Sequence, residues 1–197
     1  LAISSFVYLH GSMAFEQYGG LEVTTNNGDV TEVEVMTIGA AAVDAFVGMG
    51  PYFVDSDGDG DIDVDDTPDA DAMGLVIANL NVGMAIMREE GLFGFGDFFA
   101  LSATADLAGL VGIDFLTAEI RDIEIAVNMG HDPLVLIEAN QPAIDFTKLD
   151  GGALNVATGG TPVALDFDDE ILRAVAGDIL LAISSFVYLH GSMAFEQ

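Results

Sequence analysis

The stretch "DSDGDGDIDVDD", Asp55 to Asp66, places a carboxylate at every second residue of a glycine-containing loop. Like charges this close repel one another unless a cation lies between them. A hard divalent ion suits the pattern, since Ca²⁺ takes roughly six to eight oxygen ligands and alternating side chains on a tight loop converge on one point. Counted as a loop of twelve, Asp55, Asp57 and Asp59 fall at positions 1, 3 and 5. Gly60 stands at 6, where the chain must turn sharply, and Asp61 at 7 supplies its backbone carbonyl. Ile62 at 8 is the apolar anchor, Asp63 stands at 9, and Asp66 at 12 closes the shell. The expected ligands are therefore Asp55, Asp57, Asp59, Asp61, Asp63 and Asp66, with Asp69 and Asp71 as candidates for a second ion. The plainer alternative is a solvated acidic loop, which also needs counterions nearby.

Other residues able to do chemistry are sparse. Cysteine is absent, which excludes thiolate metal sites, disulfides and a cysteine nucleophile. The three histidines are His10, His131 and His190. Ser4, Ser5 and Ser12 have no nucleophile-elbow context. "GLFGFGDFF", Gly91 to Phe99, has no lysine and reads as packing rather than a phosphate cradle. Carboxylates are too numerous for any pair to stand out as a hydrolytic dyad.

The charge balance narrows the partners. Against 33 Asp and Glu there are 4 Lys and Arg, a formal net charge of −29. Such a chain repels nucleic acid and anionic lipid, and self-repulsion opposes its compaction unless ions screen it. Hydrophobic residues make up 51%, ample for a core and inconsistent with disorder. No long uncharged apolar run suggests a membrane-spanning helix. There is no basic leader, and Leu1 reads as a position within a longer chain.

The strongest organising signal is a repeat. "LAISSFVYLHGSMAFEQ" occurs at Leu1 to Gln17 and again, letter for letter, at Leu181 to Gln197, an offset of 180 residues. This predicts a tandem array in which residues 1–180 form one unit, residues 181–197 begin the next, and residues 53–72 are an inserted acidic loop. His10 and His190 are then one position seen twice. "GDFFALSATADLAGLVGID", from Gly96, can be laid on the stretch from Gly177 with one gap, suggesting similar strand-rich pieces inside the unit.

The elements around these features read as β. "LEVTTNNGDVTEVEV", Leu21 to Val35, is a hairpin about Asn27-Gly28. Strand alternation recurs in "IRDIEIAVN", with Ile123, Ile125 and Val127 on one face, and in "TPVALDFDDE", with Val163, Leu165 and Phe167 on one face. "ALNVAT" and "PLVLIEAN" are further short strands. Gly19-Gly20, Gly50-Pro51, Gly151-Gly152 and Gly159-Gly160 punctuate the chain as turns. "IGAAAVDAFVGMG" and "DDEILRAVAGDILLAI" carry helix-like content, but strand is favoured for the second. The opening stretch is apolar on both faces, the pattern of a strand covered on both sides.

Three stretches together resemble a known kind of protein. They are "ALSATADLAGLVGIDFLTAEIRDIEIAVN" (Ala100 to Asn128), "DFTKLDGGALNVATGGTPVALDFDDEILRAVAGDILL" (Asp145 to Leu181) and "SSFVYLHGSMAFE" (Ser184 to Glu196). They are similar to repeats of giant secreted bacterial adhesin-like, calcium-binding exoproteins. The resemblance implies secretion, tandem β-rich repeats and a surface or matrix role. The Asp55–Asp66 loop resembles the EF-hand-like loop of dockerins, which implies metal binding alone.

The combined expectation is an all-β chain, an elongated β-solenoid or stacked-sheet repeat unit, with a β-sandwich per repeat as the alternative. It is expected to be a non-enzymatic, extracellular, Ca²⁺-stabilised fibre or filament. Its partners would be neighbouring copies of itself, homopolymeric or laterally associated, with no nucleic acid and no membrane insertion. A spacer repeat of a giant cell-surface adhesin is the second reading, and a polysaccharide-acting enzyme the remote third.

Overall fold

A computed structural model describes residues 2–3, 7–56, 58, 66–91, 95–133, 135 and 141–197. The chain is all-β, with no α-helix among the described residues. In chain order the strands are β1 (Ala2–Ile3), β2 (Val7–Thr24), β3 (Val30–Met49), β4 (Phe53–Val54), β5 (Thr67–Pro68) and β6 (Met73–Glu89). They continue with β7 (Asp97–Val111), β8 (Leu116–His131), β9 (Leu154–Val156), β10 (Val163–Leu165), β11 (Ile171–Ile183) and β12 (Val187–Glu196).

Seven long strands and the two-residue β1 form one open antiparallel sheet in the order β1-β2-β3-β6-β7-β8-β11-β12. Each long strand lies beside its predecessor among the long strands, so the sheet is a meander. The hairpin expected at Asn27-Gly28 joins β2 to β3, with Gly28 at φ 91. Both helix-like segments are strand. "IGAAAVDAFVGMG" lies on β3, where its small residues pass close beneath a covering layer, and β11 takes up "ILRAVAGDILLAI".

The strands are far longer than the sequence punctuation suggests, at 18 residues for β2 and 20 for β3. Gly19-Gly20 is not a turn. It lies within β2, and the pairing with β3 shifts register between Tyr18 and Leu21, with Gly20 at φ 72. An extra residue accommodated in one strand leaves the ladder intact on either side, as a β-bulge does. Further irregularities cross the middle of the sheet. Gly11 has φ 136 in β2, and Ala42, Asn79 and Asp122 have positive φ in β3, β6 and β8. Asx side chains support two of them. Asn81 Oδ1 accepts from the Ala42 N–H at 3.0 Å, and Asp44 Oδ1 accepts from the Asn79 N–H at 2.9 Å.

One face of the sheet carries the core. The segment from 141 to 169, with the 3₁₀ turn Phe146–Lys148 and the β9–β10 ladder, lies over β2, β3, β6 and β7. It buries Ile144, Phe146, Leu154, Val156 and Leu165 against Val23, Val33, Val35, Ala85, Met87, Phe98 and Ala100. This cover is tied down at both ends. Thr25 bridges to Ile144, and the buried Asn128 donates through Nδ2 to the carbonyls of Ile144 and Asp169, each at 2.8 Å. Asn26 Nδ2 also donates to Asp169 Oδ1 at 2.6 Å, and this bond, with one from the Glu170 N–H, holds the Asp169 carboxyl below its usual range. A smaller aromatic cluster near the opposite strand ends packs Tyr8, Phe46 and Phe53 with Tyr52.

The other face is uncovered among the described residues, apolar along much of its area and crossed at one end by a polar row of Gln17, Glu34, Arg88 and Asp97. Met13 is 71% exposed and Phe15 59%, with Ile86, Ile125, Met129 and Leu172 also exposed. The opening stretch is therefore covered on its Tyr8 face only, a correction to the two-sided burial its composition suggests. The internal echo fails as well. The stretch from Gly96 forms the single strand β7, whereas the stretch from Gly177 turns back on itself between β11 and β12.

Candidate metal loop and repeat junction

The acidic loop leaves the sheet after β3 and returns before β6. Its two ends are clasped by β4 and β5, in which Phe53 pairs with Pro68 and Val54 with Thr67. Asp55 and Asp66 are each one step beyond the Val54–Thr67 pair, so the ladder brings the first and last positions of the loop side by side. Asp55 Oδ1 accepts from the Gly58 N–H at 2.6 Å, a local turn that folds the loop inward as it starts. Asp66 is buried, and its Oδ1 accepts from the Ser56 N–H at 2.7 Å. Asp57, Asp59, Asp61 and Asp63 lie outside the described residues. Among those described, no group of three or more His, Asp or Glu gathers at one point. Asp69 and Asp71 lie in the return turn, where Asp69 Oδ1 accepts from the Asp71 N–H at 2.9 Å. Closed ends and a folded entry suit a chelating loop, with carboxylate oxygens as the hard donors such an ion prefers.

The protein's own cations are already committed. Arg88 pairs with Asp97 at 2.9 Å, Arg121 with Glu119 at 3.0 Å, Lys148 with Asp145 at 3.5 Å and Arg173 with Glu124 at 2.8 Å. These are all 4 of the Lys and Arg residues, against 33 acids. Most of the negative charge must therefore be compensated from solution.

The second feature is the placement of the duplicated segment. Its first copy supplies β1 and most of β2, and its second supplies the end of β11 and all of β12. The two hairpins are equivalent pair by pair. Ala2 faces Tyr8 and Ile3 faces Val7, while Ala182 faces Tyr188 and Ile183 faces Val187. Subtracting the offset of 180 makes these the same pairs. Residues 4–6 lie outside the described residues, so the equivalence is carried by the pairs that flank them.

The two copies have opposite neighbours. Over most of its length β2 is paired on one side, with β3, from Val7–Val47 to Thr24–Val30. β12 is paired on its other side, with β11, from Ile183–Val187 to Arg173–Glu196. Tyr8 is 8% exposed, and its ring meets Phe53 edge-on at 5.2 Å, whereas Tyr188 is 74% exposed. A Cβ on Gly11 would come within 2.8 Å of Val43, while one on Gly191 would meet nothing within 4 Å. The β11 side adds polar contacts. His190 Nε2 lies 2.7 Å from Asp178 Oδ1, and Arg173 Nε lies 4.0 Å from Glu196. The sequence exposes the duplication, but only the strand pairing reveals these half-complementary edges.

At the end of β6, Glu89 organises the turn into β7. Thr31 Oγ1 donates to one carboxylate oxygen at 2.7 Å, and the N–H groups of Phe95 and Gly96 donate to the other at 3.1 and 3.2 Å. The Thr31 hydroxyl foremost, then the backbone donors, hold this carboxyl below its ordinary 4.5 despite some burial. A carboxyl depressed in the folded state stabilises fully above its unfolded value, and the contribution is lost as pH falls through the folded one. Glu89→Gln should therefore be less stable than the parent above pH about 4.5, with the gap closing in more acid solution. Urea midpoints across a pH series check this, and a gap that does not change with pH contradicts it. Comparison with protein-family models, curated proteins and solved structures found no match for this chain.

Proposed function

We propose that the chain is a structural repeat of an extracellular, Ca²⁺-stabilised fibre, a stacked-sheet unit whose partners are further copies of itself. The observation that carries this reading is the identity of Leu1–Gln17 and Leu181–Gln197, together with their equivalent hairpin pairing at opposite ends of one sheet. A repeat that begins again inside the sheet of its predecessor has a mechanical role to play, since each added copy extends the same hydrogen-bonded body. The alternating aspartates of the 55–66 loop supply the Ca²⁺ ligands. The absence of cysteine and the strongly acidic composition suit a secreted setting in which calcium and salt screen the chain.

The bare apolar face favours a laterally associated fibre over an adhesin spacer that stands alone. Met13, Phe15, Ile86, Ile125 and Leu172 face outward from the sheet on the side opposite the cover. Contiguous exposed apolar side chains of this kind mark association surfaces. Electron microscopy of the native material distinguishes the two: ordered bundles or tubes support the fibre, and isolated threads without lateral contacts overturn it in favour of the spacer.

A further inference from the structure

We infer that consecutive copies share one uninterrupted antiparallel sheet, with the β11 edge of each copy taking the β2 strand of the next, and no linker between them. This rests on the tandem-repeat reading and specifies its interface. The occupant of the β11 edge is already present, since β12 carries the sequence of β2 from Val7 through Glu16. What β12 lacks on its outer side is what β2 has, a β3 strand.

Strand direction permits this continuation. One period holds six long strands, β2, β3, β6, β7, β8 and β11, each antiparallel to its neighbour. With an even number, β12 runs in the same direction as β2, so each copy follows by the same step and the meander never reverses. Six strands at about 4.8 Å give an advance of about 29 Å per copy. The ribbon would be about 60 Å wide, the length of an 18-residue strand at roughly 3.3 Å per residue.

Superposing the two environments of the duplicated segment gives the complete junction. The shared tyrosine, exposed as Tyr188, becomes buried against the next copy's Phe53, as Tyr8 is here. The glycine that is open as Gly191 comes up against the next copy's Val43, as Gly11 does. The shared histidine sits between two carboxylates. Asp178 approaches it from the preceding copy at 2.7 Å, and Asp44 is its Cα partner on the following strand. Arg173 holds its own Glu124 and reaches toward Glu196 of the joining strand. The pairings use opposite edges of the shared strand, so both can be present at once, and the shared glycine, at φ 136 as Gly11 but outside the positive-φ region as Gly191, takes up the change as the next copy's β3 joins.

The test compares the present chain with chains of two and four copies that share each seventeen-residue overlap. In the present chain, Tyr8→Ala should lower the melting temperature by about 5–10 °C, while Tyr188→Ala should change it little. In the two-copy chain, the same substitution at the inner junction should produce a loss as large as Tyr8→Ala. Small-angle scattering should show each added copy lengthening the particle by about 29 Å at constant width. An inner tyrosine that stays insensitive, or a particle that grows as flexibly joined beads, overturns the shared sheet while leaving the tandem repeat standing. Native flanking sequence unrelated to residues 1–180 removes the repeat reading itself.

Discussion

Calcium should raise the melting temperature of this chain, and a chelator should take the gain away. An ion that binds only the folded loop adds RT ln(1 + [L]/Kd), about 2.7 kcal/mol when calcium stands at a hundred times its dissociation constant. For a chain of this length, that is a shift of about 5–10 °C. General screening also stabilises a chain carrying −29 charges, so the comparison needs sodium chloride at matched ionic strength as its reference. The double variant Asp55→Asn with Asp59→Asn isolates the site. Asparagine keeps the Oδ1 that accepts from the Gly58 N–H, so the entry turn survives while two anionic ligands are lost. The calcium-specific shift should vanish in the variant while the sodium response remains. If calcium and chelator give coincident curves in the parent at matched ionic strength, the loop is a solvated acidic excursion and not an ion site.

The place of the acidic segment as an excursion between strands was legible in the sequence because its turn and charge signals are local, and it leaves the sheet after β3 and returns before β6. Alternating aspartates around glycine are a pattern of neighbouring residues, and no distant residue is needed to see it. The Asn27-Gly28 hairpin and the β10 alternation of Val163 and Leu165 were readable for the same reason. The length of the strands was not. A glycine pair usually ends a strand, but Gly19-Gly20 sits in a bulge, and whether a bulge or a turn forms depends on the pairing with β3. Likewise, the backbone irregularities at Ala42, Asn79 and Asp122 change which face later residues occupy, and cross-strand Asx hydrogen bonds support two of them. The opening strand is covered on one face only, which apolar composition cannot foretell because it does not say which neighbour arrives. Its Tyr8 side is covered by Phe53 from the excursion after β3, while Met13 and Phe15 have no covering segment among the described residues. The duplication is plain in the sequence, but the sequence could not show that the two copies expose opposite edges of one strand.

Gly39→Val should be among the most damaging single substitutions in the cover–sheet interface. Gly39 lies in β3 opposite Gly83 in β6, and together they form a trough into which the cover descends. A Cβ on Gly39 would run into the backbone carbonyl oxygen of Ala157, and one on Gly83 would meet Val163 Cγ1 at 2.7 Å. At Gly130, farther along the sheet, the obstacle is the carbonyl oxygen of Pro142. The cover is thus seated on backbone at both places, and backbone cannot rotate aside as a flexible side chain can. Overpacking a close-fitted interface costs about 1–3 kcal/mol, and more where no relaxation is open. Valine brings two further methyl groups, so about 3 kcal/mol or more is expected, a large share of the roughly 5–15 kcal/mol that holds a typical domain. The loss should also be localised. Lifting residues 141–169 uncovers Val33, Val35, Met87 and Phe98, while the strand ladder around β8, β11 and β12 keeps its hydrogen bonds. Hydrogen exchange should therefore accelerate first at Ile144, Phe146, Leu154 and Leu165, well before the amides of β11. Gly191→Ala serves as the control, because nothing lies within 4 Å of its position. Equal effects from the two substitutions would mean that the cover does not rest on the glycine trough.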